Sequence, residues 1–191
     1  SNYISLVHDN SLWTPIGPID GWSLRLTIGP TFDFQRSKLH NYAGLLDFRY
    51  YYRINHYFSI AQRSMIWLND GVDIRRFYIG GSWGLRGYAI NQIYGRKAIL
   101  LNQELRFPFA KSLMLNIGTE NIGFAPIRGA LFIDAGNAWD YSYPGLRGSF
   151  GFGLRGLFMG GIVLRLDIGK QTDFRSISEN WFTQFFFGWD F

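Results

Sequence analysis

No cysteine occurs among the 191 residues, so the chain can hold neither a disulfide framework nor a thiol nucleophile, a usage that fits an exported protein. Nor does any uninterrupted apolar run reach the ~18–20 residues that a membrane-crossing helix requires, which argues against a helical membrane protein. Clusters of one charge sign are missing too. The formal charge is +5 and the pI about 9.6, yet Lys and Arg are spread along the chain with no run longer than two, which argues against a nucleic-acid partner. The opening SNYISLVHDN lacks the basic and apolar regions of a signal peptide, so an exported form is expected to have lost its signal or to be an excerpt of a longer chain.

What is abundant is aromatic residues and glycine. Aromatics make up 19% and hydrophobic residues 47% of the chain beside 23 glycines, while the mean hydropathy is only -0.05. That combination fits strands with apolar residues on one face only.

The period-two pattern is explicit. Trp22, Leu24, Leu26 and Ile28 alternate with Ser23, Arg25 and Thr27, and Tyr42, Leu46, Phe48, Tyr50 and Tyr52 alternate with Asp47, Arg49 and Arg53. From Tyr57 to Leu68 the alternation is blurred, and the better fit places Arg63 inward with Phe58, Ile60, Ile66 and Leu68 outward. Further on, Ile99, Leu101, Leu105 and Phe107 oppose Asn102, Glu104 and Arg106, with Pro108 expected to end the strand and 109–127 to form an irregular connection. Leu131, Ile133 and Ala135 oppose Phe132 and Asp134. Phe150, Phe152, Leu154 and Phe158 oppose Ser149 and Arg155, and Ile162, Leu164, Leu166 and Ile168 oppose Arg165 and Asp167. In the closing segment Trp181, Phe185, Phe187, Trp189 and Phe191 share a face opposite Gln184, Gly188 and Asp190.

Alternation alone does not separate a soluble sandwich from a barrel in lipid. Three details favour lipid: both charge signs with glycine on the polar face, aromatics at the strand ends, and apolar faces on every strand. The reading is all-β, an antiparallel transmembrane β-barrel of about eight strands from Trp22 onward. Counting Tyr3–His8 makes about nine, which would imply part of a larger barrel.

One stretch breaks the pattern: Phe77–Ala89, FYIGGSWGLRGYA, with Gly80, Gly81, Gly84 and Gly87 beside Trp83, Leu85, Arg86 and Tyr88. It is followed by the strand bearing Glu104, then by IDAGNAWD from Ile133 to Asp140, and finally by an aromatic strand ending in Phe191. This order resembles the BamA/TamA superfamily of outer-membrane assembly proteins, also called bacterial surface antigens. The match is most specific over Phe77–Trp139, with weaker likeness at Asp9, Asn10, Pro15 and Gly17.

The resemblance implies a small complete barrel, or the C-terminal half of one of about 16 strands, in the bacterial outer membrane. Residues 1–191 would be a single barrel domain, with 1–21 a lead-in or partial strand and 70–97 a loop folded into the lumen. It implies a lock in which Arg86, with Gly87 and Tyr88, engages Glu104 and Asp134 on the inner wall. It also implies that the last strand, through Trp181, Phe185, Phe187, Trp189 and Phe191, serves as assembly signal and seam edge. The implied function is insertion or translocation of outer-membrane proteins without a cofactor. Expected partners are outer-membrane lipid, unfolded outer-membrane protein clients and periplasmic accessory domains. A structural membrane anchor or pore for an upstream domain is the second reading, and a small enzyme inside the lumen the third.

No catalytic or metal motif survives inspection. Gly151, Gly153 and Gly156 have the spacing of a dinucleotide site, but period two runs straight through them with no strand-then-helix context. His8, His40 and His56 lie far apart, and the acids are better matched as partners for arginines than as an active site. The chain is therefore read as not an enzyme.

Overall fold

A computed structural model describes residues 3–33, 38–72, 74–111, 113–117, 120–124, 126–158 and 162–187. The chain begins with β1 (Ile4–Asp9), β2 (Leu12–Thr14), β3 (Gly17–Asp33), β4 (Lys38–Arg53) and β5 (Ser59–Gly71). The short β6 (Phe77–Tyr78) and β7 (Tyr94–Gly95) lie within the connection to β8 (Lys97–Ala110). Then come β9 (Leu113–Ile117), β10 (Glu120–Phe124), β11 (Ile127–Trp139), β12 (Arg147–Phe158), β13 (Ile162–Thr172) and β14 (Ile177–Phe187). The main sheet runs in the order β1-β3-β4-β5-β8-β11-β12-β13-β14, with β2 paired to β3 off that path, and its pairings are antiparallel.

Successive side chains of a strand point to opposite faces, and the two faces here reverse the usual soluble arrangement. On β11 the outward Leu131 and Ile133 are 52% and 45% exposed, whereas the inward Ala130, Phe132 and Asp134 are at most 4% exposed. The same alternation places Leu26 and Ile28, Tyr50 and Tyr52, and Ile66 and Leu68 outward and exposed. Charged residues are buried on the opposite face: Asp47, Glu104, Arg106, Arg155, Arg165 and Asp167. The blur in β5 has a physical source. Its inward residues include Ala61, Met65 and Trp67 as well as Arg63, because part of the inner face supports an apolar core.

The polar face is concave. Arg165 on β13 comes within 3.5 Å of Glu104 on β8, three positions away in the sheet, a separation of about 14 Å if the strands lay flat. On the other flank Arg106 of β8 donates to the Pro18 carbonyl of β3 at 2.8 Å, again three positions away. The segment between β5 and β8 lies on this surface. Its Ile79, Leu85, Tyr88 and Ile93 form a small core with Met65, Ala98, Leu100 and Ala138 of the sheet.

Several expectations are corrected. The sheet is not a closed barrel: β1 pairs with β3 and β14 with β13, and no pairing joins β1 to β14 among the described residues. Alternation reports which face is apolar and carries no information about whether the two edge strands meet. The expected transmembrane β-barrel gives way to an open, curved antiparallel sheet, and the eight-strand count to ten strands in that sheet. Insertion or translocation through a barrel seam, and the pore reading, both required closure and fall with it. No helix among the described residues is long and apolar enough to cross a membrane.

Two local corrections follow the same lines. Pro108 does not end β8, which continues to Ala110. A register shift between Ile127 and Arg128 on β11 leaves Phe109 unmatched, so the ladder passes the missing N–H as a bulge. Within the stretch read as irregular, β9 and β10 pair as a hairpin.

Candidate functional site

The glycine-rich stretch is held in shape by its own backbone before any ion pair is made. β6 pairs with β7, and beyond them Ile79 N–H donates to the Ile93 carbonyl and Gly81 N–H to the Tyr88 carbonyl at 2.8 Å. Gly80 bridges to Leu85, and Gly84 and Leu85 donate to Gly81 and Ile79 respectively. The chain passes so close to itself that a Cβ on Gly84 would run into the Ile79 carbonyl. Gly87 adopts φ 84°, a left-handed conformation that favours glycine, with the Phe182 ring against the space a Cβ would take.

These two turns deliver Arg86 to the concave face, where it is 0% exposed. Its Nε and Nη2 donate to the two oxygens of Asp134 at 2.6 and 2.5 Å, its own N–H donates to Asp134 Oδ2 at 3.2 Å, and Nη1 donates to Glu104 Oε1 at 2.7 Å. The guanidinium carbon lies 3.7 Å from the centroid of the Phe132 ring, a cation–π contact that closes its remaining face. Burial alone would lower the guanidinium pKa, but the charges of Asp134 and Glu104 outweigh it and hold the group above its ordinary value.

Both acids have further partners. Asp134 accepts from Asn102 Nδ2 at 2.8 Å, and the same amide donates to the Gly84 carbonyl, so one side chain ties loop to wall. Ser149 Oγ adds a longer contact to Asp134 at 3.4 Å. Glu104 accepts from Arg106 Nε at 3.0 Å and Arg155 Nη2 at 2.5 Å, and Arg165 pairs chiefly with Asp167 at 2.6 Å.

The rest of the loop is fastened around this centre. Gly87 N–H donates to Gln184 Oε1 at 3.0 Å, Gln171 donates to the Gly87 carbonyl, and Tyr88 Oη donates to the Gly148 carbonyl at 3.3 Å. Arg63 donates to the Trp83 carbonyl at 2.9 Å while Trp83 packs edge-on against Phe186 at 4.8 Å. The loop therefore bridges β5 to β14 across the concavity.

The structure thus brings together Arg86, Gly87, Tyr88, Glu104 and Asp134, with Gly80, Gly81 and Gly84 in the turns behind them. Trp181, Phe185 and Phe187 stand apart, outward on β14 at 66%, 56% and 62% exposed. Trp189 and Phe191 lie outside the described residues. Sequence reading did not single out Asn102, Arg106, Arg155, Arg165, Asp167 or Gln184 as site residues. Their positions on the polar side of each alternating strand were the available signal.

Chemically the site is a buried ion-pair network. No set of three His, Asp or Glu side chains that could hold a metal occurs among the described residues. No curated protein matches the chain at a significant level. Among protein families, the Omp85 superfamily domain, a fold of non-catalytic scaffolds, matches residues 9–185. With that match covering nearly the whole of the open sheet and the loop locked upon it, the chain belongs to the Omp85 superfamily.

Proposed function

We propose that this chain is an outer-membrane-associated scaffold of the BamA/TamA branch, with its apolar face covered by lipid and its concave face stiffened by the locked loop. The observation that carries this reading is the outward face itself. Ile28, Tyr52, Leu68, Leu131, Ile133, Trp181, Phe185 and Phe187, on five of the strands, are all 45% or more exposed. Soluble monomers seldom expose a contiguous apolar patch beyond a few hundred Å², because water disfavours it at about 25 cal/mol per Å².

Superfamily membership is consistent with association with the outer membrane. The glycine-arginine loop followed by the Glu104 and Asp134 strands supports the BamA/TamA branch. The role of Arg86, Glu104 and Asp134 in this reading is structural: they fix the loop across β5 to β14 and so hold the curvature of the sheet.

Quenching by brominated lipid tests the lipid contact. In vesicles, Trp181→Phe is expected to remove a large part of the quenchable tryptophan fluorescence. Trp67→Phe, on the inner face and stacked on Phe77 at 4.9 Å, is expected to remove little. Equal losses for the two variants would reject a lipid-covered outer face.

A further inference from the structure

A row of like charges crosses the concave face near the Ile127 end of β11. Arg128 on β11 is directly opposite Arg155 on β12, and Arg155 is directly opposite Arg165 on β13. Directly opposed residues share a face with Cβ atoms about 4.5–5.5 Å apart, an arrangement that repels when the charges are alike. Arg106 joins the row diagonally, since it opposes Ala130, two residues along β11 from Arg128 on the same face.

Three of the four arginines are paired with carboxylates. Arg106 and Arg155 donate to Glu104, and Arg165 donates to Asp167. Arg128 is half-buried and makes no hydrogen bond or ion pair with any described residue. The described carboxylates of this face are engaged elsewhere: Glu104 takes Arg86, Arg106 and Arg155, Asp134 takes both nitrogens of the Arg86 fork, and Asp167 takes Arg165. Among the described residues of this network five guanidiniums, counting Arg86, face three carboxylates, Glu104, Asp134 and Asp167.

We infer that the concave face carries an oxyanion site centred on Arg128 and flanked by Arg155 and Arg106, suited to a phosphate monoester or inorganic phosphate. An excess of two positive charges matches a group that carries about −1.5 to −2 at neutral pH. A free guanidinium fork matches two phosphate oxygens at once, and the adjacent arginines supply the field that draws the anion in. Arg128 takes no part in the Arg86 lock, although its neighbours Arg106 and Arg155 share Glu104 with Arg86, and it lies on the face away from lipid, so the site goes beyond the scaffold reading. The same chemistry is available from a free phosphate or from a phosphate-bearing lipid headgroup reaching over the rim of the sheet.

The test is thermal unfolding of the full chain, followed by tryptophan fluorescence, with two probes. Folded in detergent micelles, the chain is compared in inorganic phosphate and in chloride at matched ionic strength. Folded in phosphatidylcholine nanodiscs, it is compared with and without phosphatidic acid. A rise in Tm with at least one probe is expected, abolished in Arg128→Gln and retained in Arg75→Gln, whose arginine is exposed elsewhere. A rise with inorganic phosphate assigns the site to free phosphate. A rise confined to phosphatidic acid assigns it to a headgroup. If Arg128→Gln does not fold, Arg128→Lys replaces it: the charge is kept and the fork lost, and a diminished rise supports the site. The inference is overturned if neither probe raises the Tm, or if the rise persists undiminished in the Arg128 variant that folds.

Discussion

Arg86 and Asp134 form a two-pronged ion pair: Nε and Nη2 of the arginine reach the two carboxylate oxygens at 2.6 and 2.5 Å, with both side chains at most 1% exposed. Removing one partner of such a pair leaves an uncompensated buried charge, at a cost of about 3–5 kcal/mol. Arg86→Ala is therefore expected to release the 72–96 loop to protease and to lower the Tm by many degrees. Arg86→Lys should be nearly as harmful, because an ammonium cannot reproduce the fork while also reaching Glu104. A protease-resistant loop in Arg86→Ala would show that the backbone turns hold it without the ion pair.

The turns make their own contribution. Gly87 has φ 84° and faces the Phe182 ring, so alanine there would meet both backbone strain and a side-chain clash. Gly87→Ala is expected to shift the loop and weaken the Gly87-to-Gln184 hydrogen bond while leaving the strands intact. Unchanged far-UV circular dichroism with altered Trp83 fluorescence is the signature. Loss of the far-UV signal would instead mean that the sheet depends on the loop to form.

Much of the sheet was legible because period two is a local property. Leu131 and Ile133 outward with Phe132 and Asp134 inward follows from the sequence of β11 alone. Placing Glu104 and Asp134 on polar faces needed nothing more. Closure was not legible, since whether β1 and β14 meet depends on the accumulated curvature of every strand between them. Curvature also decides that Arg165 reaches Glu104 three strands away, which no alternation rule encodes. At Pro108 a rule about missing donors pointed to an end, but a bulge let the ladder continue. Arg86 itself was found through resemblance, because a single arginine in a glycine-rich loop has no periodic context to mark it.

The β13–β14 turn offers a pH-dependent test. Asp173 Oδ1 accepts from the N–H groups of Ser176 and Arg175 at 2.7 and 2.9 Å and from Ser176 Oγ, while Phe174 is held at φ 63°. The Ser176 and then the Arg175 N–H bonds lower its carboxyl pKa below the ordinary 3.8. Its contribution is therefore fully present above that value and is lost as pH falls through the lower folded pKa. Asp173→Ala is expected to speed hydrogen exchange at the Ser176 amide relative to the unsubstituted chain at neutral pH. The difference should narrow in strong acid, and a difference independent of pH would place the cap's effect outside the carboxylate.

The outer face gives the sharpest separation between lipid and water. Ile133 lies mid-strand on β11, opposite Gln103 on β8 and Phe150 on β12, and is 45% exposed. If water covered that face, Ile133→Lys would be an ordinary surface change, within about 0.5 kcal/mol of neutral. Under hydrocarbon, a lysine near the middle of an outward strand costs about 2–4 kcal/mol, because the apolar medium cannot solvate its charge as water does. Denaturant unfolding from phospholipid vesicles is expected to show a loss in the larger range. Asn102→Asp, on the inner face and already hydrogen-bonded to Asp134 at 2.8 Å, should also destabilise, but through charge repulsion and equally in any surrounding medium. A loss that depends on the lipid for Ile133→Lys and not for Asn102→Asp would therefore assign the apolar face, and not the fold as a whole, to the membrane. A small, medium-independent effect of Ile133→Lys would refute the lipid-covered reading.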